Sequence, residues 1–248
     1  MKPLWSAAGR LLVLCVLAGL ALQLYFLLRI VLMTVIDPQS TSFQRAEAVR
    51  IVGEKGALPW RQAWRDYDDI SDHLKRAVIA SEDAGFTEHD GIDWDAIEKA
   101  WERNARAQER TARLAQRQKK PPARPPKIVG GSTITQQLAK NLFLSGERSF
   151  LRKGQEFVIT FMLEAVLSKR RILEIYLNNV EWGDGVFGAE AAAQHYFRVG
   201  ADRLTPYQAA RLAVMLPAPK RFEKRPGSAY VSGRAGTIVA RMGAVQLP

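Results

Sequence analysis

The chain has one cysteine and three histidines in 248 residues. A single thiol, Cys15, excludes an intramolecular disulfide framework and a cysteine-rich metal site. His73, His89 and His195 form no i, i+4 pair and HExxH does not occur, so no zinc-hydrolase signature is present. The Walker A pattern is missing as well, and with it that route to a nucleotide. No internal repeat is found, and β-branched alternation is rare. Acids are scarce in two places. The first 36 residues hold three cations and no acid. Residues 103–127 hold nine cations (Arg103, Arg106, Arg110, Arg113, Arg117, Lys119, Lys120, Arg124 and Lys127) against Glu109 alone. The formal net charge is +11, and the positions outside these two stretches balance to about zero. The basic character therefore belongs to segments and not to a whole fold.

What is present begins with an apolar run. Residues 11–28, LLVLCVLAGLALQLYFLL, carry no charge and one polar side chain, Gln23; after Arg29 the run resumes to Ile36. At about 1.5 Å per residue this crosses a hydrocarbon core of roughly 30 Å. A cleaved signal peptide fits less well, because no A-x-A-like site follows and the run is too long. Cys15 follows bulky residues, which makes a poor lipoprotein cleavage site. The expectation is an uncleaved single-pass anchor over 11–36, behind a tail of residues 1–10. Lys2 and Arg10 favour a cytoplasmic N-terminus, placing the remainder on the outer, periplasmic side of a bacterial inner membrane.

Residues 37–67 are taken as a connecting segment. Beyond it the periodicity is mostly helical, with about seven helices expected and a mainly α fold. Asp72 and Asp93 are candidate caps, and Ile97 and Trp101 share a face of the second helix. A third helix is expected from Thr133 to about Leu144. The stretch RKGQEFVITFMLEAVL, 152–167, is apolar nearly all round and is expected to be buried at the domain centre. Further helices start near Ser168 and Gly188, and the last clear one at Thr205, with Pro206 at its first turn and Gln208 completing a capping box. The prolines of QKKPPARPPK exclude a helix there. This half of the basic segment reads as an exposed extension, either a solvated linker or a contact for anionic lipid headgroups. Nucleic acid sits badly with an external domain and is not expected as a partner.

Three stretches carry chemistry. In GGSTITQQLAKN, 130–141, Thr133 and Gln136 satisfy the capping-box spacing. Capping leaves Gln137, Lys140 and Asn141 unexplained. On a helix Ser132, Gln136 and Lys140 form one line, with Ile134, Leu138 and Leu142 opposite. A cation, neutral donors and free backbone N–H groups at a helix start suit a phosphate or diphosphate, and Arg148, Arg152 and Lys153 follow closely. In SEDAGFTEHDG, Glu82 and Asp83 stand at a helix end: a surface turn, or a carboxylate held for proton transfer. In RKGQE, Glu156 lies one turn from Arg152: a structural ion pair, or a second carboxylate facing the anion site.

Together these stretches resemble an ordered motif set. E-D-x-x-F-x-x-H-x-G (Glu82, Asp83, Phe86, His89, Gly91), then GGSTITQQLAKN, R-K-x-x-E and KRRILEIYLNN (169–179) are similar to those of glycosyltransferase family 51, the peptidoglycan glycosyltransferases. The resemblance spans about residues 68–222. It implies a lysozyme-like helical head with a smaller membrane-proximal jaw lobe, over 68–248. Neither S-x-x-K nor K-T-G occurs, so the chain looks like a monofunctional member. The family activity is polymerisation of lipid II into β-1,4 glycan strands, with inversion and release of undecaprenyl diphosphate. Carried over by motif, Glu82 is the general base and Glu156 the second essential carboxylate. Ser132, Thr133, Gln136, Gln137, Lys140, Asn141, Arg148, Arg152 and Lys153 line the diphosphate and sugar sites, with Asp83, Phe86 and His89 supporting Glu82. No cofactor is obligatory, and a divalent cation, magnesium or manganese, is an open question at the diphosphate. The partners implied are lipid II, the growing strand, the membrane and other cell-wall synthesis proteins. Basic segment 103–127 is longer than the family's usual link. The competing readings are a glycan-cleaving enzyme on a similar fold and a non-catalytic anchored scaffold.

Overall fold

A computed structural model describes residues 2–118, 130–144, 146–147 and 149–248. The chain is mainly helical. α1 (Lys2–Leu32) is followed by α2 (Ser42–Lys55), α3 (Asp72–Glu82), α4 (Trp94–Gln118), α5 (Ile134–Phe143), α6 (Phe150–Val166) and α7 (Lys169–Asn179). Then come α8 (Ala189–Phe197), α9 (Pro206–Met215), the short α10 (Pro219–Phe222) and α11 (Ala229–Met242). Three short strands, β1 (Arg61–Gln62), β2 (Glu181–Gly183) and β3 (Val186–Phe187), form a sheet of order β1-β3-β2, with β1 parallel and β2 antiparallel to β3.

Local chemistry sets most helix starts. Thr133 and Gln136 close a capping box on α5, and Thr205 and Gln208 close another on α9. Ser71, not Asp72, caps α3, and Asp72 occupies its first turn beside the positive end of the helix dipole. α4 continues past Trp101 to Gln118, so the first half of the basic segment is helix; positions 119–127 lie outside the described residues. Three helices, α2, the short α10 and α11, fall outside the seven expected. α2 opens on a Thr41–Gln44 capping box within the segment taken as connecting, and α11 opens on Ser228.

Two helix clusters share one core. α3, α9 and α11 pack on one another, burying Leu74, Ala77, Val78, Leu212, Val231 and Ile238. Such side chains each contribute about 1.5–3 kcal/mol when fully buried, the alanine less. α5 packs on α6, α2 and α7. The interior of α5 is Ile134, Leu138, Ala139 and Leu142.

α1 is long and apolar enough over Ala7–Leu32 to cross a membrane. Its last turns belong to the folded unit: Phe26, Ile30 and Met33 join the core. The helix stops at Leu32, short of Ile36, because the domain captures the chain. Arg171 Nε donates to the Met33 carbonyl at 2.8 Å, and its guanidinium pairs with Asp37 at 2.6 Å. Phe26 meets Phe143 of α5 edge to face at 5.2 Å. The lone polar side chain of the apolar run also has its partner: Gln23 and Gln155 of α6 exchange two hydrogen bonds, 2.8 and 2.9 Å.

α6 corrects an expectation. It is not buried all round: Glu156, Ile159, Thr160 and Leu163 are buried, and Met162 and Val166 pack partly buried against the core. Phe150 and Leu151 are 99% and 86% exposed, and Phe161 is exposed as well. One flank of α6 packs on α1 instead. Apolarity on every side here serves a core, an anchor contact and an open apolar surface.

Replacing Gln155 by leucine strands the Gln23 amide on an apolar helix. Gln155→Leu is expected to lower the stability of the detergent-solubilised protein by roughly 1 kcal/mol, read by thermal unfolding. Replacing both glutamines should recover most of that loss. A single variant as stable as wild type would show that the pair contributes nothing.

Candidate active site

Glu82 is the last residue of α3, and Asp83 is its C-cap. The two carboxylates diverge. Asp83 is buried and both its oxygens are engaged: Oδ1 with His89 Nε2 at 2.9 Å, Oδ2 with the backbone N–H of Ile134 at 2.9 Å. His89 Nδ1 accepts from the Gly91 N–H at 3.1 Å, so Nε2 carries the proton given to Asp83. An anion at the first N–H of α5 is the favoured partner for that helix end. Asp83 thereby sews the end of α3 to the start of α5.

The loop between them is tightly held. Gly91 has φ +84°, and a Cβ there would lie 2.7 Å from Thr160 Cγ2, so only glycine fits. Thr133 Oγ donates to the Gly91 carbonyl at 2.6 Å. A Cβ on Gly131 would lie 3.0 Å from the Ile97 Cα, which sets the cradle loop directly on the first turns of α4. Phe86 is fully buried, with the Lys169 ammonium 4.7 Å from its ring. Lys169 also donates to the His89 carbonyl at 2.6 Å and pairs with Glu164 at 2.8 Å.

α5 divides the site. On one side Gln137 Nε2 donates to Glu82 Oε2 at 3.1 Å, and its Oε1 accepts from Tyr176 of α7 at 3.1 Å. One turn on, Lys140 lies in the field of Glu156, Arg152 and Lys153 on α6. Glu156 is 4% exposed and holds both cations: Arg152 Nη1 bonds Oε2 at 2.9 Å, and Lys153 Nζ bonds Oε1. The ion pair that the spacing offered is formed.

The expected line of donors is only partly open. Ser132 and Lys140 are exposed, but Gln136 is buried, its Oε1 accepting from the Thr133 N–H at 3.1 Å. Its Nε2 has no partner among the described residues. Thr133 is buried with its hydroxyl committed to the cap and to Gly91. Asn141 is half-buried on the same helix, and Arg148 lies outside the described residues. Tyr176, Lys169 and Glu164 had not been singled out as site residues. All three lie beyond the cradle in sequence, and only Lys169 and Tyr176 fall inside a quoted motif.

Burial pushes the Glu82 carboxyl above its ordinary value and the adjacent Asp83 adds to this, while hydrogen bonds from Gln137 and Ser81 oppose it. Burial lowers the Lys140 ammonium, with Glu156 opposing and Arg152 and Lys153 adding. Among the described residues, two groups bring three acidic or histidine ligand atoms within 4.8 Å of one another: Asp83–His89–Asp93 and Glu47–Glu181–Asp184. In the first, Asp83 and His89 are already committed to each other and to backbone N–H groups. In the second, Arg50, Lys55 and Lys220 already supply the positive charge. Neither group is assigned to a metal.

The Transglycosylase family profile matches residues 52–243. The biosynthetic peptidoglycan transglycosylase of Burkholderia thailandensis is 54% identical over 231 residues, covering 93% of this chain and 84% of that protein. Its counterpart in Burkholderia pseudomallei has the same identity and coverage. That of Paraburkholderia phytofirmans is 50% identical over 232 residues, covering 94% of this chain and 90% of that protein.

Asp83→Asn keeps the size of the side chain but removes the charge that two donors share. It is expected to lower stability by about 1–3 kcal/mol, measured by denaturant unfolding. An unchanged midpoint would mean that the α3–α5 tie does not depend on that charge.

Proposed function

Given that the chain belongs to the Transglycosylase family, we infer that it is a peptidoglycan glycosyltransferase that extends glycan strands for the bacterial cell wall. The observation that carries its mechanism is the placement of α5. It presents Gln137 to the uncompensated carboxylate of Glu82, and Lys140 to the charged group around Glu156.

The substrate is lipid II, and the donor is the growing strand carried on undecaprenyl diphosphate. Glu82 takes the proton of the acceptor 4-hydroxyl as the oxygen bonds to C1 of the donor sugar. The C1–diphosphate bond breaks with its electron pair going to the diphosphate. Attack opposite the leaving group inverts the α linkage to β-1,4. A carboxyl raised by burial suits this role, since a base works best with a pKa near the working pH. Lys140, Arg152 and Lys153 meet the charge developing on the diphosphate, and the spare Nε2 of Gln136, the Ser132 hydroxyl and Asn141 are donors nearby. Arg148 follows the same motif and is assigned to this cradle on sequence alone. Glu156 holds Arg152 and Lys153 in place. A divalent cation, magnesium or manganese, is not required by this set, because side-chain cations already supply the charge. A glycan-cleaving enzyme has no use for that cradle, and a scaffold has no use for a half-buried Glu82 that has no cation partner among the described residues.

Purified protein supplied with lipid II is expected to yield polymeric glycan, and Glu82→Gln none. Burial holds the folded-state pKa of Glu82 above its unfolded value. Its ionisation therefore costs stability as pH rises through that window. At neutral pH, Glu82→Gln should accordingly melt no lower than wild type. Polymer from Glu82→Gln would remove the base assignment. Lys140→Ala should lose at least tenfold in rate while keeping its melting temperature, and a collapsed fold would make Lys140 structural instead.

The site works at an inner membrane surface, with α1 spanning it and the domain on the periplasmic face. α4 adds a second contact. Arg103, Arg106, Arg110 and Arg113 are exposed and spaced to share one face of the helix, which suits anionic headgroups. The full chain in bilayers containing anionic lipid should be protected from trypsin at these arginines, and high salt should remove the protection. Equal cleavage in zwitterionic and anionic bilayers would exclude the contact.

A further inference from the structure

We infer that Tyr176 is a positioning residue that holds the far end of the Gln137 amide in line with Glu82, and that the Glu82–Gln137–Tyr176 chain reverses its hydrogen-bond directions when Glu82 gains a proton. The inference rests on Glu82 being the base of the reaction.

Three groups on three helices form the chain. Glu82 ends α3, Gln137 lies in α5 and Tyr176 in α7, with both links at 3.1 Å. An amide has donors at one end and an acceptor at the other, and an ionised carboxylate only accepts. With Glu82 ionised, one arrangement satisfies all three groups: Tyr176 donates to Gln137 Oε1, and Gln137 Nε2 donates to Glu82. Once Glu82 has taken the acceptor's proton it has an O–H to give. The amide can then turn over, so that Glu82 donates to Oε1 and Nε2 donates to the Tyr176 oxygen. No proton leaves Glu82 along this path. A phenol hydroxyl serves both states because it can donate or accept.

The surroundings keep the chain intact. Tyr176 is 1% exposed, so water does not compete for its hydroxyl. Burial, with Glu82 and Asp83 adding, raises the phenol well above its ordinary value, so it stays protonated. The other groups at Glu82 are the neutral Ser81 hydroxyl and Asp83, whose oxygens are held by His89 and the Ile134 N–H. Among the described residues no cation pairs with Glu82, so the amide is its main stabilising donor.

The test is the pH dependence of polymer formation from lipid II by the full-length protein. The chain that ends on the charged carboxylate is the stronger one, so breaking it costs the ionised state more than the protonated one, raises the pKa of the base and moves the acid limb of the rate profile up. Tyr176→Phe should move that limb up by roughly half a unit, with polymer still formed on the plateau. Gln137→Met should move it at least as far. The double variant should move it no further than Gln137→Met alone, because Tyr176 acts through Gln137. An unmoved limb in folded Tyr176→Phe, or a double variant whose shift is the sum of the singles, overturns the proposal. Should Tyr176→Phe fail to fold, an unmoved limb in Gln137→Met overturns it as well. Failure of the underlying reading looks different: polymer would then form with Glu82→Gln.

Discussion

The carboxylate of Asp83 is the constraint on which the site depends. It closes no salt bridge to lysine or arginine among the described residues. It ties a helix end to a helix start by accepting from the Ile134 N–H and from His89. A carboxylate at the C-terminus of α3 faces the negative end of that helix dipole. Placing the start of α5 against it supplies the positive end of another. The neighbouring Glu82 inherits the position without the compensation. Its backbone is fixed by the same turn, yet its side chain points to a neutral amide. One residue of the pair is spent on architecture, and that leaves the other in an environment fit for proton transfer.

The same tie sets the angle at which α5 crosses the site. Thr133 holds Gly91 and caps the helix, Thr135 donates to Glu164, and Lys169 joins Glu164 to the His89 carbonyl. None of these bonds uses Ser132, Gln137 or Lys140. They leave Ser132 and Lys140 exposed. α1 takes part in this frame: Phe26 touches α5, Gln23 touches α6, and both helices carry groups of the proposed diphosphate cradle. α1 is thus part of the folded unit and more than a tether.

Local signals were legible in the sequence; relations between helices were not. The capping box of Thr133 and Gln136 was readable because it is a three-residue pattern with its own physics. The same pattern at Thr41 and Gln44 was passed over, because no apolar face follows it in α2. Gln136 was placed beside Ser132 and Lys140 by helical angle, which is correct as geometry. Angle alone does not say what lies opposite, and the capping bond turns Gln136 inward. α6 was taken as a buried helix because periodicity registers apolarity and not its cause; a protein core, an anchor helix and an open apolar surface look alike at that level. The glycines of α11 lowered its helical signal. Tyr176 stood in a quoted motif without a role, since its partner lies 39 residues away.

The two glutamates show why such relations decide chemistry. Both are carboxylates near the same helix, and composition cannot tell them apart. Glu156 has a cation on each oxygen, and removing it would leave Arg152 and Lys153 without the group that aims them. Its charge is already balanced, so its contribution is geometric: it keeps two positive groups beside Lys140 that would otherwise repel it and drift apart. Among the described residues Glu82 has no cation and only neutral donors, Gln137 and Ser81, in a site that penalises its charge. Taking up a proton relieves that penalty, and this is the change of state a general base must undergo. The proposed division of labour follows from what surrounds each carboxylate, and the backbone tie at Asp83 sets the surroundings of Glu82.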